Sequence, residues 1–331
     1  MRLAALSLLV VAGFGCGSAS QGELVIYVWG DYLPDAVVRA FEKEAGCRVE
    51  VKNFTSTDEL KEKLLGHEAY DVVWPSDDIL PLLSAAGTLE AIDTSKLSNF
   101  KNLGEKWRGE KYGVPYFWGT TGLCYNTEKI KEPVDSWAAL WDPKHKPMSM
   151  LEDARECFAA ALRLDGRSGN TTDEAALAKA KERLIAQKQH LLPYNSQPRG
   201  KLIEGSVWLC QVFNGDALQA ARAGAKVHYV IPKEGGTIWV DFMSIPKAAK
   251  NKPLAYAFVN YILRADVSAS LANDNRYANP NEAAREKTDK DVLTDTIAYP
   301  PEEDLKRCER LADIGKARRA IEDAWAEVQR K

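Results

Sequence analysis

Residues 23–54, ELVIYVWGDYLPDAVVRAFEKEAGCRVEVKNF, decide the fold class, because a strand, a helix and a second strand follow one another closely. ELVIYVW is rich in β-branched and aromatic residues, and CRVEVKNF alternates apolar and polar residues as a half-buried strand does. Between them, PDAVVRAFEKEA has helical spacing, with Pro34 near the start and Gly46 as a stop. This order predicts a parallel sheet covered by helices.

The same alternation continues through residue 87 and then gives way to longer β-rich runs. STDELKEKLLG has a Ser/Thr cap and acids in its first turn, YDVVWPS is a short strand, and DDILPLLSAAG is a helix. Further on, residues 113–126 are β-like, 153–164 and 173–188 are helical, and SVWLCQVFNG and AKVHYVIPKEGG are strands with turns. KPLAYAFVNYILR and KARRAIEDAWAEVQR are predicted helices. No linker rich in Pro, Gly or Ser divides the chain, so two domains would be joined by more than one crossing, with candidate hinges near 114–126 and 235–246.

Composition places the chain among ordinary globular proteins. It has 331 residues, 45% of them hydrophobic and 27% charged, which is enough for two domains of roughly 150 residues each. The formal net charge of -3 gives no support to nucleic acid or an anionic membrane surface as a partner.

The N-terminus has the layout of a secretory signal. One arginine precedes an apolar run from Leu3 to Phe14, which is too short to span a bilayer and is followed by small residues. Cys16, directly after Gly15, resembles the lipobox of bacterial lipoproteins, where the cysteine is acylated. Gly13 stands where that motif usually has leucine, so ordinary cleavage nearby is the alternative. We predict a signal peptide at 1–15, export to the periplasm and a lipid anchor at Cys16.

Motifs of common enzyme and metal sites are missing from the sequence. There is no P-loop, HExxH or GxSxG, and no GxGxxG follows a strand and opens a helix. The four histidines share no short spacing with one another or with a cysteine, and the cysteines after Cys16 predict scattered thiols with one disulfide at most. We predict no metal and no cofactor. A hydrolase that uses only carboxylates remains open, because such enzymes have no short motif.

Carboxylates stand beside large rings at several strand ends and turns. In IWVDF, Trp239 and Asp241 are two residues apart and therefore point to the same face of a strand. An aspartate in an apolar strand loses hydration unless a cation or a donor meets it. VWGDYLP and QVFNGDAL repeat the combination. A linear polyamine requires it, because ammonium groups bind carboxylates and π faces while methylene spacers pack on flat apolar walls.

Each of these residues also has a plain structural interpretation. Asp31 and Asp216 lie beside glycine in predicted turns, where aspartate often caps backbone N–H groups. Asp153 with Glu156 three residues later fits a helix N-cap and a capping box. Phe213 and other rings at strand ends are often core residues.

At these positions the sequence resembles the periplasmic polyamine-binding proteins of ABC importers, the spermidine and putrescine receptors. The matching segments include YVWGDYLPDAVVRAFEKEAG, YDVVWPSDD, VPYFWGTTGLCYN, EDARECFAAALRLDGRSGNTTD, IPKEGGTIWVDFMSIPKAAKNK and YANPNEAA. The resemblance implies an α/β, two-lobed periplasmic-binding-protein-like (type II) fold, each lobe a mixed β-sheet flanked by helices, with hinge crossovers. Lobe 1 is expected to comprise 16–120 and 241–285, and lobe 2 to comprise 121–240 and 286–331.

The resemblance also implies the ligand-binding residues. Asp216 matches an acid of putrescine-type receptors, and Phe213 stands where the family commonly has tryptophan. Asp77 and Asp78 replace a pair that is small or aromatic in relatives, and a late polar ligand residue is replaced near Arg310-Leu311. The expected set is Trp29, Asp31, Tyr32, Ser76, Asp78, Asp153, Glu156, Phe213, Asp216, Trp239, Asp241 and Tyr277.

The function implied is a receptor, not an enzyme, that captures putrescine or spermidine between its lobes and delivers it to the permease subunits of an ABC importer. We expect a monomer with no nucleic-acid partner and no membrane contact beyond a lipid anchor. A polyamine-sensing lipoprotein without transport and the carboxylate-based hydrolase are the alternatives. Iron, thiamine and amino-acid receptors share the fold, but they would call for other residues in the cleft.

Overall fold

The computed structural model describes residues 22–330, so the predicted signal peptide and Cys16 lie outside the described residues. Nine strands and twelve α-helices are assigned within that range. In chain order they are β1 (Glu23–Trp29), α1 (Asp35–Ala45), β2 (Arg48–Phe54), α2 (Thr57–Leu65), β3 (Val72–Val73), α3 (Leu80–Ala85), β4 (Val114–Asn126), β5 (Met148–Ser149), α4 (Ala154–Arg163), α5 (Glu174–Lys188), α6 (Arg199–Glu204), β6 (Leu209–Phe213), α7 (Asn214–Arg222), β7 (Val227–Val230), β8 (Thr237–Met243), α8 (Lys252–Ile262), α9 (Ala265–Asn275), α10 (Lys290–Leu293), α11 (Glu302–Leu305), β9 (Glu309–Arg310) and α12 (Lys316–Arg330).

The N-terminal strands form a parallel sheet in the order β2-β1-β3. Gly46 ends α1 in the left-handed conformation, with φ of 64°, which glycine adopts without steric cost. The Ser56 side chain caps α2 by accepting from the Glu59 N–H. The strand–helix alternation and both helix-end signals predicted from the sequence are therefore confirmed.

A second, mixed sheet has the order β5-β6-β4-β8-β9, and β7 also pairs with β4. β4 is antiparallel to β6, β7 and β8, while β5 and β9 run parallel to their neighbours. At the edge of the first sheet, Val73 of β3 exchanges backbone hydrogen bonds of 2.9 and 2.8 Å with Ser244, the residue that follows β8. Strand β8 therefore connects the two sheets.

The apolar side chains form separate cores, and we name the two halves of the molecule after them. Lobe 1 surrounds a core built from residues between Leu24 and Phe117 and between Trp239 and Tyr277. Lobe 2 surrounds two clusters whose members lie between Leu123 and Val328. Strand β4 contributes to both lobes, and β8 returns the chain to lobe 1.

This arrangement confirms the predicted two-lobed α/β class with mixed sheets and crossovers. The predicted changes of lobe, at 120/121 and 240/241, fall inside β4 and β8. Trp239 and Val240 pack in the lobe 1 core rather than in lobe 2. The residue-level boundaries stay a prediction.

The cysteines at 47, 124, 157, 210 and 308 are free thiols. Within residues 22–330, no helix is both long enough and apolar enough to cross a bilayer.

Candidate ligand-binding cleft

A cavity of about 350 Å³ lies between the lobes and is lined by residues of both. All twelve residues that the sequence singled out face this cavity. It is also lined by Asp77, which the sequence analysis noted beside Asp78, and by residues that the sequence did not single out, of which Arg199, Gln219, Thr237 and Asn275 have polar contacts described below.

Strand β8 forms the floor of the cavity. Thr237, Trp239 and Asp241 alternate along it and share one face, so the outer two Cα atoms are about 13 Å apart by strand geometry. The indole of Trp239 lies across the neighbouring strand at Gly119, where a Cβ would come within 2.4 Å of the ring. Glycine at position 119 therefore makes room for the tryptophan.

Asp241 is a buried carboxylate at one end of this face. The Tyr32 hydroxyl donates to its Oδ2 at 2.7 Å, and the side chain forms no ion pair with any residue in the described range. Burial raises the pKa of Asp241 to about 8, and the charges of Asp77 and Asp78 act in the same direction, against the Tyr32 hydrogen bond. An aspartate of this kind is stable either as the neutral acid or beside a cation that the chain itself does not supply.

Glu156 lies at the opposite end of the face. Its two carboxylate oxygens accept from the hydroxyls of Thr121 and Thr237, each at 2.9 Å. Burial, and then the charge of Asp153, raise the pKa of Glu156 to about 7. Burial also raises the pKa of Asp153 to about 6.

The capping interpretation of this pair is half right. Asp153 is the N-cap of α4, since its Oδ1 accepts from the Glu156 N–H at 3.0 Å. The Glu156 carboxylate is held by the two threonines across the cavity. Asp153 therefore combines a helix cap with a place in the cavity wall.

Asp216 lies within helix α7, in its first helical turn, and not in a loop between elements. The prediction of a turn at NGD was therefore wrong. The helix begins at Asn214 because its side chain is fixed by tertiary contacts: Oδ1 accepts from the Thr120 N–H at 3.0 Å, and Nδ2 donates to the Ile297 carbonyl at 2.8 Å. No side-chain cap is present at this helix start. Burial raises the pKa of Asp216 to about 7, although the Arg199 guanidinium opposes the shift.

Aromatic rings enclose the space between these acids. The Trp239 ring meets Phe213 and Tyr277 edge-on, with centroids 5.8 and 5.2 Å apart, and Tyr277 meets Tyr32 at 5.8 Å. The indole Nε1 of Trp239 is buried and has no hydrogen-bond partner within the described part of the chain. Trp29, in the wall near the mouth, packs on Phe54 at 4.4 Å.

Three acids of lobe 1 are paired with arginines of lobe 2 around the cavity. Asp31 Oδ2 is 2.5 Å from Arg199 Nη2, and Asp77 Oδ2 is 2.5 Å from Arg310 Nε. Arg318 Nη2 donates to Asp78 at both Oδ2 (2.8 Å) and the backbone carbonyl (2.7 Å), while the Ser76 hydroxyl donates to Asp78 Oδ1 at 3.1 Å. The extra charge that Asp77 and Asp78 bring is thus neutralised by the opposite lobe.

These pairs divide the acids of the cavity into two groups. Asp31, Asp77 and Asp78 each have an arginine partner, whereas none of the remaining four carboxylates forms an ion pair within residues 22–330. Those four are Asp153, Glu156, Asp216 and Asp241, and burial raises the pKa of every one. The described residues also contain no cluster of His, Cys, Asp and Glu suited to a metal ion. Unpaired acids beside aromatic rings are a combination that suits an organic cation with apolar segments.

Comparisons with known proteins agree with this chemistry. The family model described as bacterial extracellular solute-binding protein matches residues 36–301. The spermidine/putrescine-binding periplasmic protein of Salmonella typhimurium is 36% identical over 329 residues, covering 96% of this chain and 94% of that protein.

Two solved structures share the architecture. The spermidine/putrescine ABC transporter substrate-binding protein of Streptococcus pneumoniae has a TM-score of 0.77 at 28% identity, covering 93% of this chain and 99% of that one. A lipoprotein of Treponema pallidum has a TM-score of 0.81 at 26% identity, covering 93% and 100%. The chain belongs to the family of bacterial extracellular solute-binding proteins.

Proposed function

We propose that this protein captures a linear polyamine, putrescine or spermidine, in the cleft between its lobes and delivers it to the permease of an ABC importer. The observation that carries the proposal is the set of four unpaired carboxylates in an aromatic cavity. Each is desolvated, and each would gain a charge-assisted hydrogen bond worth about 1.5–3 kcal/mol from a ligand ammonium group.

The layout of β8 supports an extended ligand. In our proposal Asp241 and Glu156 receive two ammonium groups, with Asp153 beside the second. The methylenes between them lie over Trp239 and against Tyr277. The separation of about 13 Å between the outer Cα atoms of this face suits a chain rather than a compact cation.

Tyr32, Trp29 and Phe213 complete the proposed aromatic wall, and Asp216 offers a further ammonium site. Asp31, Asp78 and Ser76 line the cavity without receiving an ammonium group in this proposal, because Arg199 and Arg318 already neutralise the two acids.

The proposed location and partners rest on the predicted signal peptide and on the names of the relatives. A relative of this chain is named as a periplasmic protein, another as the substrate-binding protein of an ABC transporter, and a third as a lipoprotein. Together with the apolar leader and the Gly15-Cys16 pair, these names support periplasmic delivery to a permease by a monomer anchored through Cys16. Mass spectrometry of the N-terminal peptide from the native host tests the anchor.

The ligand class is tested by calorimetric titration of the mature chain with putrescine, spermidine and glutamate. We expect at least one amine to bind with micromolar or tighter affinity and glutamate to give no heat of binding. Binding of glutamate with both amines silent would refute the proposal.

Asp241→Asn tests the site within the same experiment. Removing one partner of a desolvated charge pair costs about 2–5 kcal/mol. The dissociation constant for the amine should therefore rise by roughly thirtyfold or more, while the protein stays folded. Asp165→Asn is the matched control, since this aspartate pairs with Arg183 and Lys179 away from the cavity. Near-native affinity of Asp241→Asn would sink the assignment.

Because the family comprises binding proteins, we do not propose the hydrolase alternative. A sensing lipoprotein without transport would use the same cleft. Uptake of labelled putrescine by cells with and without the gene separates the two, because only a transport receptor changes the uptake rate.

A further inference from the structure

Arg199 occupies the mouth of the cavity from the lobe 2 side. It is the first residue of α6, which packs on lobe 2 through Leu202. Its Nη2 reaches Asp31 of lobe 1 at 2.5 Å, and its Nη1 contacts the Gln219 side-chain oxygen. The guanidinium therefore bridges the two lobes.

Its partners hold Arg199 in this position. The Gln219 amide donates to the Asn275 carbonyl at 2.9 Å, and the Asn275 amide donates in turn to the Tyr32 carbonyl at 3.3 Å. Gln219 is thus fixed with its oxygen toward Arg199. Asp31 is held by the backbone, in a left-handed conformation with φ of 59°.

Exposure places this pair at the outer end of the cavity. The Asp31 side chain is 72% exposed and Arg199 is 33% exposed, whereas Asp241 is 6% exposed. Asp216 is intermediate in exposure and lies three residues before Gln219 on α7, so both side chains are on the face of the helix that Arg199 contacts. Asp216 itself has no ion-pair partner within residues 22–330, whereas Asp31, the more exposed acid at the mouth, already has a cation.

We propose that Arg199 is a specificity-determining residue that sets an upper limit on the length of the amine. This inference rests on the proposed function. A ligand whose last ammonium group reaches Asp216 fits, while a longer one would bring an ammonium group to Asp31 and meet the guanidinium there. The ligand ammonium group and the Arg199 guanidinium would repel each other there, so the longer ligand would have to displace Arg199 from Asp31.

The test compares ligand lengths in Arg199→Gln, which removes the charge and keeps a polar side chain. Calorimetric titrations use the diamine putrescine, the triamine spermidine and the tetraamine spermine. We expect the ratio of tetraamine to diamine affinity to rise by about tenfold over that of the unmodified protein. Arg199→Gln together with Asp31→Asn should raise the ratio less than Arg199→Gln alone, because the repulsion is removed in both variants but the released carboxylate is present only in the single one.

Arg310→Gln is the charge-matched comparison, since Arg310 neutralises Asp77 in the same cavity. A general electrostatic effect would raise the ratio of tetraamine to diamine affinity equally in Arg199→Gln and Arg310→Gln, because it scales with the charge of the ligand, and that result would overturn the proposal. An unchanged ratio in Arg199→Gln, with thermal denaturation showing an intact fold, would also overturn it while leaving the proposed function standing. If the unmodified protein binds no amine, both proposals fall.

Discussion

Amine binding should weaken steeply as the pH is lowered from 8 to 6. An ammonium group binds the ionised carboxylate, so protonating Asp241 competes with the ligand. With a pKa of about 8, roughly half of Asp241 is ionised at pH 8 and about 1% at pH 6. This group alone should therefore reduce the affinity about fiftyfold across that interval, and Glu156 and Asp216, with pKa values of about 7, add to the loss.

Stability of the unliganded protein should show the opposite trend. Because burial raises the pKa of Asp241 from 3.8 to about 8, the folded state binds more protons than the unfolded state between these values. The stabilisation by this proton is complete below about pH 4 and is lost as the pH rises to about 8. A bound amine should remove this decline, since it stabilises the ionised form.

The assay is calorimetric titration at pH 6, 7 and 8, repeated at pH 7 in two buffers with different heats of ionisation. We expect proton release on binding at pH 7, seen as a buffer-dependent heat. Asp241→Asn should lose the part of the pH dependence that this group contributes, about fiftyfold between pH 8 and 6, and Asp165→Asn should keep the whole of it. Affinity that is constant from pH 6 to 8, with the same heat in both buffers, would refute the reasoning.

Three further substitutions probe the construction of the cavity. Glu156→Gln should weaken amine binding by about 2–5 kcal/mol in a titration while leaving the melting temperature at pH 8 equal or higher, because a buried charge is removed; unchanged binding would contradict its role. Gly215→Ala would place a Cβ 2.2 Å from the facing tyrosine ring and should cost about 1–3 kcal/mol in urea unfolding, whereas Gly200→Ala, with open space around it, should cost nothing. Asp78→Asn should destabilise the protein by about 3–5 kcal/mol in the same assay, because Arg318 is 6% exposed and would lose its counterion; a change below 1 kcal/mol, roughly, would show that water replaces the pair.

Local patterns in the sequence sufficed for the elements and for the acids on them. The alternation of IWVDF predicted that Trp239 and Asp241 share a face, and the structure places both in the cavity wall. Helix-end signals at Gly46 and Ser56 were equally local, which is why they could be identified from a few residues.

The arginine pairs could not be predicted in this way. Each acid and its arginine are 168 to 240 residues apart in the chain, and they meet only because the two lobes lie against each other. No short pattern encodes such a contact. The turn predicted at Asn214 was wrong for a related reason. Asn-Gly usually signals a turn, but here the Asn214 side-chain amide is held by Thr120 and Ile297 from distant segments.

A crystal structure of the mature protein grown with spermidine at pH 8 tests the central claim most directly. Our account predicts an extended amine over the Trp239 indole, with ammonium nitrogens within hydrogen-bond distance of Asp241 and Glu156. A cleft without ligand at saturating spermidine, or an amine bound elsewhere on the protein, would contradict it.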